Sequence, residues 1–240
     1  MDPEIRDQLI DLNRTFYQTF AKQFSTTRQR LQPGVMRILE LISDNDDILD
    51  LGCGNGQLGG ELVSRGHKGH YIGLDSNTDL LTIAGEKLRG VSNTSLYEKD
   101  LTTDSWDEEL PAMNFDFILA FAVLHHIPSG ELRKQVLSKI RTLIAPGGRF
   151  VHSEWLLLNS TRLQKRIQPW EKVGLVQDLV DPGDYLIDWR HGGQGLRYVH
   201  VFSDQELHKL ARETDFQIVD TFRSDGEGGQ LGLYQVWKGV

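Results

Sequence analysis

The sequence predicts an α/β fold in which helices cover both faces of a mostly parallel sheet. Two observations predict it. Between residues 46 and 152, short apolar runs alternate with amphipathic helical segments, a rhythm typical of parallel strands joined by crossover helices. The chain then closes with two β-type runs, 216–222 and 231–237. Their glycine-rich link is so short that these two strands must be antiparallel.

The parallel part is predicted to contain five strands with helices between them. The predicted strands are 47–51, 69–74, 95–98, 115–121 and one that begins at 149–152. The predicted helices are 57–65, 80–88 and 132–143, followed after the fifth strand by 203–213. We expect Ser76 with Asp79, and Ser203 with Glu206, to form capping boxes at two of these helices.

Two stretches lie outside this alternation. Residues 4–24 place their apolar side chains on one helical face, and after a break at 25–27 a second helix restarts at Pro33. We therefore expect residues 1–45 to form a helical cap and residues 46–240 to form the main domain. Within that domain, prolines, tryptophans and a glycine cluster interrupt residues 156–196. We predict an insertion of helix and loop there, with its basic run 162–166 as a solvated face.

The composition excludes several classes of protein. The 240 residues are 39% hydrophobic and 25% charged, as in globular chains. A net charge of −8 argues against a wholly basic surface, although a local basic patch remains compatible with it. The single cysteine, Cys53, excludes an intramolecular disulfide. The N-terminus lacks the pattern of a signal peptide and no apolar run would span a bilayer, so we expect a cytoplasmic protein.

The segment from Asp50 to Gly56 carries the strongest functional signal. It reads DLGCGNG, follows the first apolar strand and precedes a helix. Glycine is needed where a backbone turns sharply and where a ligand lies against it. Open α/β sheets bind ligands at the carboxyl ends of their strands. We therefore expect a Rossmann-like fold with a cofactor on this loop.

The glycine spacing favours S-adenosylmethionine over a dinucleotide. Dinucleotide loops read G-x-G-x-x-G and bind a pyrophosphate, whereas this loop is one residue tighter and follows an acid. S-adenosylmethionine has no phosphate, and its amino-acid end is cationic, which suits Asp50. Asp75 ends the second strand, where a carboxylate can accept hydrogen bonds from ribose hydroxyls. Asp100 follows the third strand and can accept from the adenine amino group.

Five segments resemble the successive motifs of class I methyltransferases: ILDLGCGNGQLG, YIGLDSN, YEKDL, FDFILAFAVLHHI and LIAPGGRFV. The resemblance covers about residues 46–152. It implies a three-layer sandwich around a seven-stranded sheet whose last strand is antiparallel, and S-adenosyl-L-methionine as cofactor. The cofactor-binding residues expected from the loop and the resemblance are Asp50, Gly52, Cys53, Gly54, Gly56, Asp75, Ser76, Asp100, Leu101 and Phe121.

Two further segments resemble the methyltransferases that esterify carboxymethyl-uridine at the tRNA wobble position. One is FAxxFSxTR at 20–28, followed by Pro33, and the other is RYxHxF at 197–202. The chain departs from that group because Leu31 and Gln32 precede the proline, where an aromatic residue is usual, and because it is less basic. The substrate-positioning residues expected from these segments and the fourth strand are Arg28, His125, His126, Arg197, Tyr198 and His200.

These residues suit methyl transfer to oxygen. A hydroxyl or amine acceptor needs a base, and a histidine such as His125 or His126 has a suitable pKa for this role. We expect at least one of these two histidines to have a structural role instead. A carboxylate is already ionised. We predict an oxygen acceptor, either a carboxymethyl-uridine of tRNA or a small-molecule acid or alcohol.

Several alternatives stay open. They are a small-molecule O- or N-methyltransferase, a methyltransferase-like protein that binds cofactor without turnover, and a nicotinamide-dependent oxidoreductase, which the glycine spacing opposes. We expect no metal, because the histidine pair offers too few ligands. The expected partners are the methyl acceptor and a small accessory protein.

Overall fold

The computed structural model describes residues 1–240, without the side chain at 227. The helices are α1 Pro3–Thr27, α2 Pro33–Leu39, α3 Gln57–Ser64, α4 Thr78–Lys87, α5 Gly130–Leu143, α6 Thr161–Gln164 and α7 Asp204–Glu213. The strands are β1 Ile48–Leu51, β2 Tyr71–Asp75, β3 Thr94–Glu98, β4 Phe115–Phe121, β5 Ile144–Trp155, β6 Ile167–Gln168, β7 Asp184–Trp189, β8 Gly195–His200, β9 Phe216–Ser224 and β10 Gly232–Gly239.

The central sheet has seven strands in the order β3-β2-β1-β4-β5-β10-β9. The first five strands pair in parallel, and β10 lies antiparallel between β5 and β9. This confirms the predicted fold class. The central position of β1 explains its unbroken apolar character, because Ile48, Leu49 and Leu51 are all 0% exposed.

Helices cover the sheet on both faces. On one face, Val35 of α2 and Leu58 of α3 share a core with Ile48 of β1. On the other face, Leu137 of α5 and Leu207 of α7 pack in the core that contains Leu49. Successive side chains of β1 therefore point into two different cores, one on each face of the sheet, as expected for a three-layer sandwich.

Some predicted element boundaries are wrong. Helix α1 continues to Thr27 rather than breaking at 25–27, and only Phe20 within it has non-helical φ and ψ. Helix α4 is capped by Asn77, whose Oδ1 accepts from Leu80 N at 2.9 Å, and not by the predicted Ser76 capping box. Strand β5 already begins at Ile144, five residues before its predicted start at 149.

The second predicted capping box forms only in part. Ser203 Oγ accepts from Glu206 N at 3.1 Å and caps α7 as expected. The Glu206 carboxylate does not return to the cap. It bonds instead to His200 Nε2 at 2.9 Å and to Arg133 Nη2 at 3.2 Å, because a buried imidazole and a buried guanidinium lie within its reach.

The insertion contains a second sheet rather than the predicted helix and loop alone. Strands β6, β7 and β8 form an antiparallel sheet in that order, and the glycine cluster at 192–195 turns β7 into β8. Helix α1 packs on it: Leu9 shares a core with Trp170 and Tyr198, and Phe16 shares one with Trp189. The two tryptophans thus bury the insertion against α1. No helix among the described residues is long and apolar enough to cross a membrane.

Candidate active site

A cavity of about 720 Å³ lies at the carboxyl ends of β1, β2 and β4, between these strand ends, α1 and the second sheet. This is the edge at which open α/β sheets bind ligands. Of the predicted cofactor residues, nine line the cavity, namely Asp50, Gly52, Cys53, Gly54, Asp75, Ser76, Asp100, Leu101 and Phe121. Gly56 lies behind it, where a Cβ would meet Ala84 Cβ at 2.8 Å. That glycine permits close packing of α3 on α4.

The glycine loop leaves open space above its backbone. Gly52 and Gly54 have φ values of 70° and 55°, in the left-handed region that favours glycine. A Cβ on Gly52 would lie 2.6 Å from Val123 Cγ2, whereas a Cβ on Gly54 would meet no described atom within 4 Å. The space beside Gly54 therefore belongs to the cavity, and a larger side chain there would fill ligand volume.

Two buried carboxylates flank the loop. Asp75 accepts from the backbone N–H of Gly54 and from that of Asn77, each at 2.9 Å. Asp50 accepts from the Tyr71 hydroxyl at 2.6 Å. Burial raises the pKa of Asp50 to about 7, although the Tyr71 hydrogen bond opposes this rise and Asp75 adds to it. Burial also raises the pKa of Asp75, against its backbone hydrogen bonds. Two desolvated carboxyl groups favour a cationic ligand, which stabilises their ionised form.

Asp100, at the third strand end, has a partner that the sequence did not predict. Its Oδ1 accepts from Thr102 N at 2.9 Å, and its Oδ2 forms a 3.1 Å salt bridge with Arg14 of α1. Helix α1 therefore reaches the side of the cavity predicted to contain the adenine.

The residues on this side fit S-adenosylmethionine. Buried Asp50 and Asp75 would hold its ammonium and its ribose, and the space above Gly54 admits a ligand against the backbone. When bound, the cofactor supplies an electrophilic methyl carbon on a sulfonium.

The other half of the cavity contains four of the six predicted substrate residues: Arg28, His125, His126 and Arg197. Tyr198 and His200 lie outside it. The Tyr198 hydroxyl donates to Asp184 Oδ1 at 2.8 Å, and His200 bridges Asp184 and Glu206. Burial lowers the pKa of His200, but these two carboxylates raise it more, so the net shift is upward. This buried network joins the second sheet to α7, and we no longer expect either residue to contact substrate.

Arg197 is a buried cation without a carboxylate partner among the described side chains. It is 6% exposed, and its guanidinium carbon lies 5.3 Å from the ring centroid of Phe16, 5.2 Å from that of Trp155 and 5.8 Å from that of Trp189. Its Nη1 donates to the Tyr17 hydroxyl at 3.2 Å, and its Nε has no partner in the described part of the chain. A buried charge is costly unless it is paired, so this cation is suited to an anionic ligand.

His126 is fully engaged by its neighbours. Its Nε2 lies 2.8 Å from the Tyr17 hydroxyl, and its Nδ1 lies 3.3 Å from the Tyr198 carbonyl. Burial, together with His125 and Arg197, holds the pKa of His126 well below its usual value. The neutral ring therefore donates from Nδ1 and accepts at Nε2, and its role is structural. Sequence reasoning missed Tyr17, although its spacing of seven residues from Phe24 places both on one helix face.

His125 is the histidine of the pair whose ring contacts a buried carboxylate. Its Nδ1 lies 3.2 Å from Glu154 Oε2, and His152 Nδ1 lies 2.8 Å from Glu154 Oε1. Burial raises the pKa of Glu154, but the hydrogen bonds and charges of the two imidazoles lower it by more. The net shift is downward, which favours the carboxylate form. Glu154 thus orients His125 at the cavity wall. Glu154, the penultimate residue of β5, belongs to no sequence motif and was not predicted.

Arg28 extends from the end of α1 toward the cavity. The residue is exposed at the rim, and its guanidinium carbon lies 4.9 Å from the Phe24 ring centroid. Desolvation of the guanidinium end lowers the pKa of Arg28; Tyr17 opposes this, and Arg197 adds to the lowering. Two guanidinium groups therefore face one half of the cavity.

A glycine loop with buried acids at the strand ends of a seven-stranded sheet defines a class I methyltransferase site. The chain matches the methyltransferase-domain family over residues 23–221 and belongs to it. It is an S-adenosylmethionine-dependent methyltransferase. Among the described residues, no group of three or more His, Cys, Asp or Glu side chains is placed to hold a metal ion.

The similar proteins include curated relatives of different lengths. A protein of Encephalitozoon cuniculi that is named as a methyltransferase is 28% identical over 208 residues, which are 85% of this chain and 87% of that one. Mouse tRNA (carboxymethyluridine(34)-5-O)-methyltransferase ALKBH8 is 27% identical over 149 residues, 62% of this chain. The match spans only 20% of the mouse protein.

Solved structures share the fold at low sequence identity. A SAM-dependent methyltransferase from Methanosarcina mazei superposes with a TM-score of 0.66 at 20% identity, covering 88% of this chain and 98% of that one. A DhpI–SAH complex superposes with a TM-score of 0.65 at 18% identity, covering 97% and 98%. Both support the fold of this chain.

Proposed function

We propose that this methyltransferase transfers the methyl group to an oxygen of an anionic acceptor, with the carboxylate of a tRNA carboxymethyl-uridine as the leading substrate. The observation that carries the proposal is Arg197, a buried guanidinium that lines the cavity and lacks a carboxylate partner among the described side chains. A guanidinium binds a carboxylate through two parallel hydrogen bonds. Arg28 provides a second cation on the same half of the cavity.

A carboxylate acceptor also agrees with the chemistry of the neighbouring groups. A carboxylate is ionised at neutral pH and needs no base, which suits a site where His126 is neutral and engaged at both nitrogens. The aromatic side chains of Phe24 and Trp189 line this half and offer surfaces for a planar pyrimidine.

The chain's own groups would align the reactants and exclude water. In this proposal Asp50 and Asp75 hold the cofactor, and the two arginines fix the acceptor oxygen for in-line displacement. Helix α1 and Trp155 form walls of the cavity that limit the access of water. No proton has to move when the acceptor is a carboxylate.

The names of two relatives supply a second line of support. Proteins of mouse and Arabidopsis thaliana that are 27% and 29% identical to parts of this chain are named tRNA (carboxymethyluridine(34)-5-O)-methyltransferases. The chain spans only 20% and 34% of their lengths. A hydroxyl acceptor is the second candidate, because His125 is oriented by Glu154 and can act as a base.

Labelled methyl donor tests both candidates. The protein is incubated with tRNA bearing carboxymethyl-uridine, with the same tRNA bearing unmodified uridine, and with a pool of small acids and alcohols. Each mixture is run with and without cell extract, because an accessory protein is an expected partner. We expect label only in the carboxymethyl-uridine tRNA, as an ester that mild alkali releases. His125→Gln should keep this activity.

Two results would contradict the carboxylate assignment. Alkali-stable label that disappears in His125→Gln would point to a hydroxyl acceptor. Label confined to the small-molecule pool would exclude tRNA as the substrate.

A further inference from the structure

The lining of the cavity carries positive charge that the chain does not neutralise. Five arginines line the cavity and form no salt bridge with a described side chain: Arg28, Arg30, Arg162, Arg166 and Arg197. The protein has 34 acidic residues and a net charge of −8, so partners are not scarce. Arg162 and Arg166 belong to the basic run expected to be a solvated face; Arg162 is exposed, and both residues also line the cavity.

The acidic side chains on this side of the cavity are already engaged. Glu154 lies between His125 and His152. Asp225 accepts from the Tyr234 hydroxyl and from the backbone N–H of Gly34. Neither carboxylate is paired with an arginine, so the positive charge at the mouth is available to a ligand.

Arg162 and Arg166 are held on an ordered backbone. Arg162 lies in α6, Arg166 lies two residues beyond the end of this helix, and both line the cavity. Between them Leu163 is buried in a core with Leu157. The Arg166 carbonyl accepts from Asp188 N of β7 at 3.0 Å. Two like charges that line one cavity repel each other, and a shared anion would remove that repulsion.

We propose that Arg162 and Arg166 form a phosphate site at the cavity mouth, distinct from the site of the methylated oxygen near Arg197. The acceptor would then carry a phosphate besides its reacting group. Guanidinium groups suit this ligand, since they donate paired hydrogen bonds to phosphate oxygens. This phosphate site rests on the proposed function only for the nucleoside part of the acceptor. The phosphate can be an internal RNA phosphodiester or the terminal phosphate of a nucleotide.

Calorimetry without methyl donor tests the site independently of catalysis. The probes are inorganic pyrophosphate, uridine, uridine 5′-monophosphate, and a uridine dinucleotide without terminal phosphates. The variants are the double variant Arg162→Gln/Arg166→Gln and, as matched control, Lys165→Gln, which removes an exposed charge from the same segment but does not line the cavity. Thermal melting and binding of S-adenosylhomocysteine verify that each variant is folded.

We expect pyrophosphate to bind the wild type, and at least one phosphate-bearing uridine probe to bind more tightly than uridine. Each lost arginine should weaken the binding of these probes about tenfold, as for a charge-assisted hydrogen bond, and Lys165→Gln should change it less than about twofold. Preference for the dinucleotide would identify the phosphate as RNA, and preference for the monophosphate as a nucleotide.

Equal effects of the double variant and Lys165→Gln, or no binding of pyrophosphate by the folded wild type, would overturn the phosphate site. If pyrophosphate binds through the two arginines but uridine adds nothing to the affinity, the phosphate site stands and the proposed nucleoside acceptor is wrong.

Discussion

Replacing Arg197 by methionine separates substrate binding from fold stability. The change removes the cation and keeps most of the side-chain volume between Phe16, Trp155 and Trp189. If Arg197 binds the acceptor anion, transfer should fall steeply while the fold is kept. If Arg197 only supports the packing of the second sheet, stability and activity should fall together.

The structure sets the expected magnitudes. A hydrogen bond to a charged group contributes about 1.5–3 kcal/mol, so losing two to an acceptor carboxylate lowers kcat/KM by about 100-fold or more. For stability, burying a lone cation costs several kcal/mol. The three cation–π contacts of Arg197 at 5.2 to 5.8 Å stabilise the folded state by about 0.5–2 kcal/mol each. These terms roughly cancel, so methionine should leave Tm within about 4 °C of the wild type or raise it.

The assay measures kcat/KM for carboxymethyl-uridine tRNA and Tm on the same preparations. Arg190→Met is the control, because Arg190 lies in the same hairpin region, is exposed, and pairs with Asp188 instead of facing the cavity. We expect the control to keep its activity. A large drop in Tm for Arg197→Met, or an unchanged kcat/KM, would refute the anion-binding role.

Two further predictions concern pH. Because the pKa of Asp50 is raised to about 7 and its carboxylate is proposed to face the cofactor ammonium, calorimetric affinity for S-adenosylhomocysteine should increase as pH rises through about 7. Asp50→Asn should flatten this profile, and an unchanged profile would remove Asp50 from the cofactor site. The pKa of His200 in the folded state lies above its ordinary value. Its contribution to folding stability is therefore complete below the pKa of the unfolded chain and is lost as the pH rises through the pKa of the folded state. Tm should therefore fall over that interval, and less so in His200→Gln; equal pH dependence in both proteins would contradict this.

The features that the sequence alone determined are those that depend on residues close together in the chain. An apolar run followed by closely spaced glycines specifies β1 and its loop. A buried strand requires apolar residues, and positive φ values require glycine, at those same positions. The acids Asp50, Asp75 and Asp100 could be predicted to lie near one another because each lies within two residues of the carboxyl end of a strand, and parallel strands bring these ends to one edge. The antiparallel last strand followed from a short link.

The acceptor side depended on tertiary structure. Tyr17 and Arg197 are 180 residues apart and meet only because α1 packs on the second sheet. Arg162 and Arg166 of the basic run line the cavity, and Leu163 between them is buried in a core with residues distant in the chain. Hydrophobic periodicity shows which face of a helix is buried, but not which surface it meets. The cofactor half is therefore set by local pattern, and the acceptor half by contacts between segments far apart in the chain.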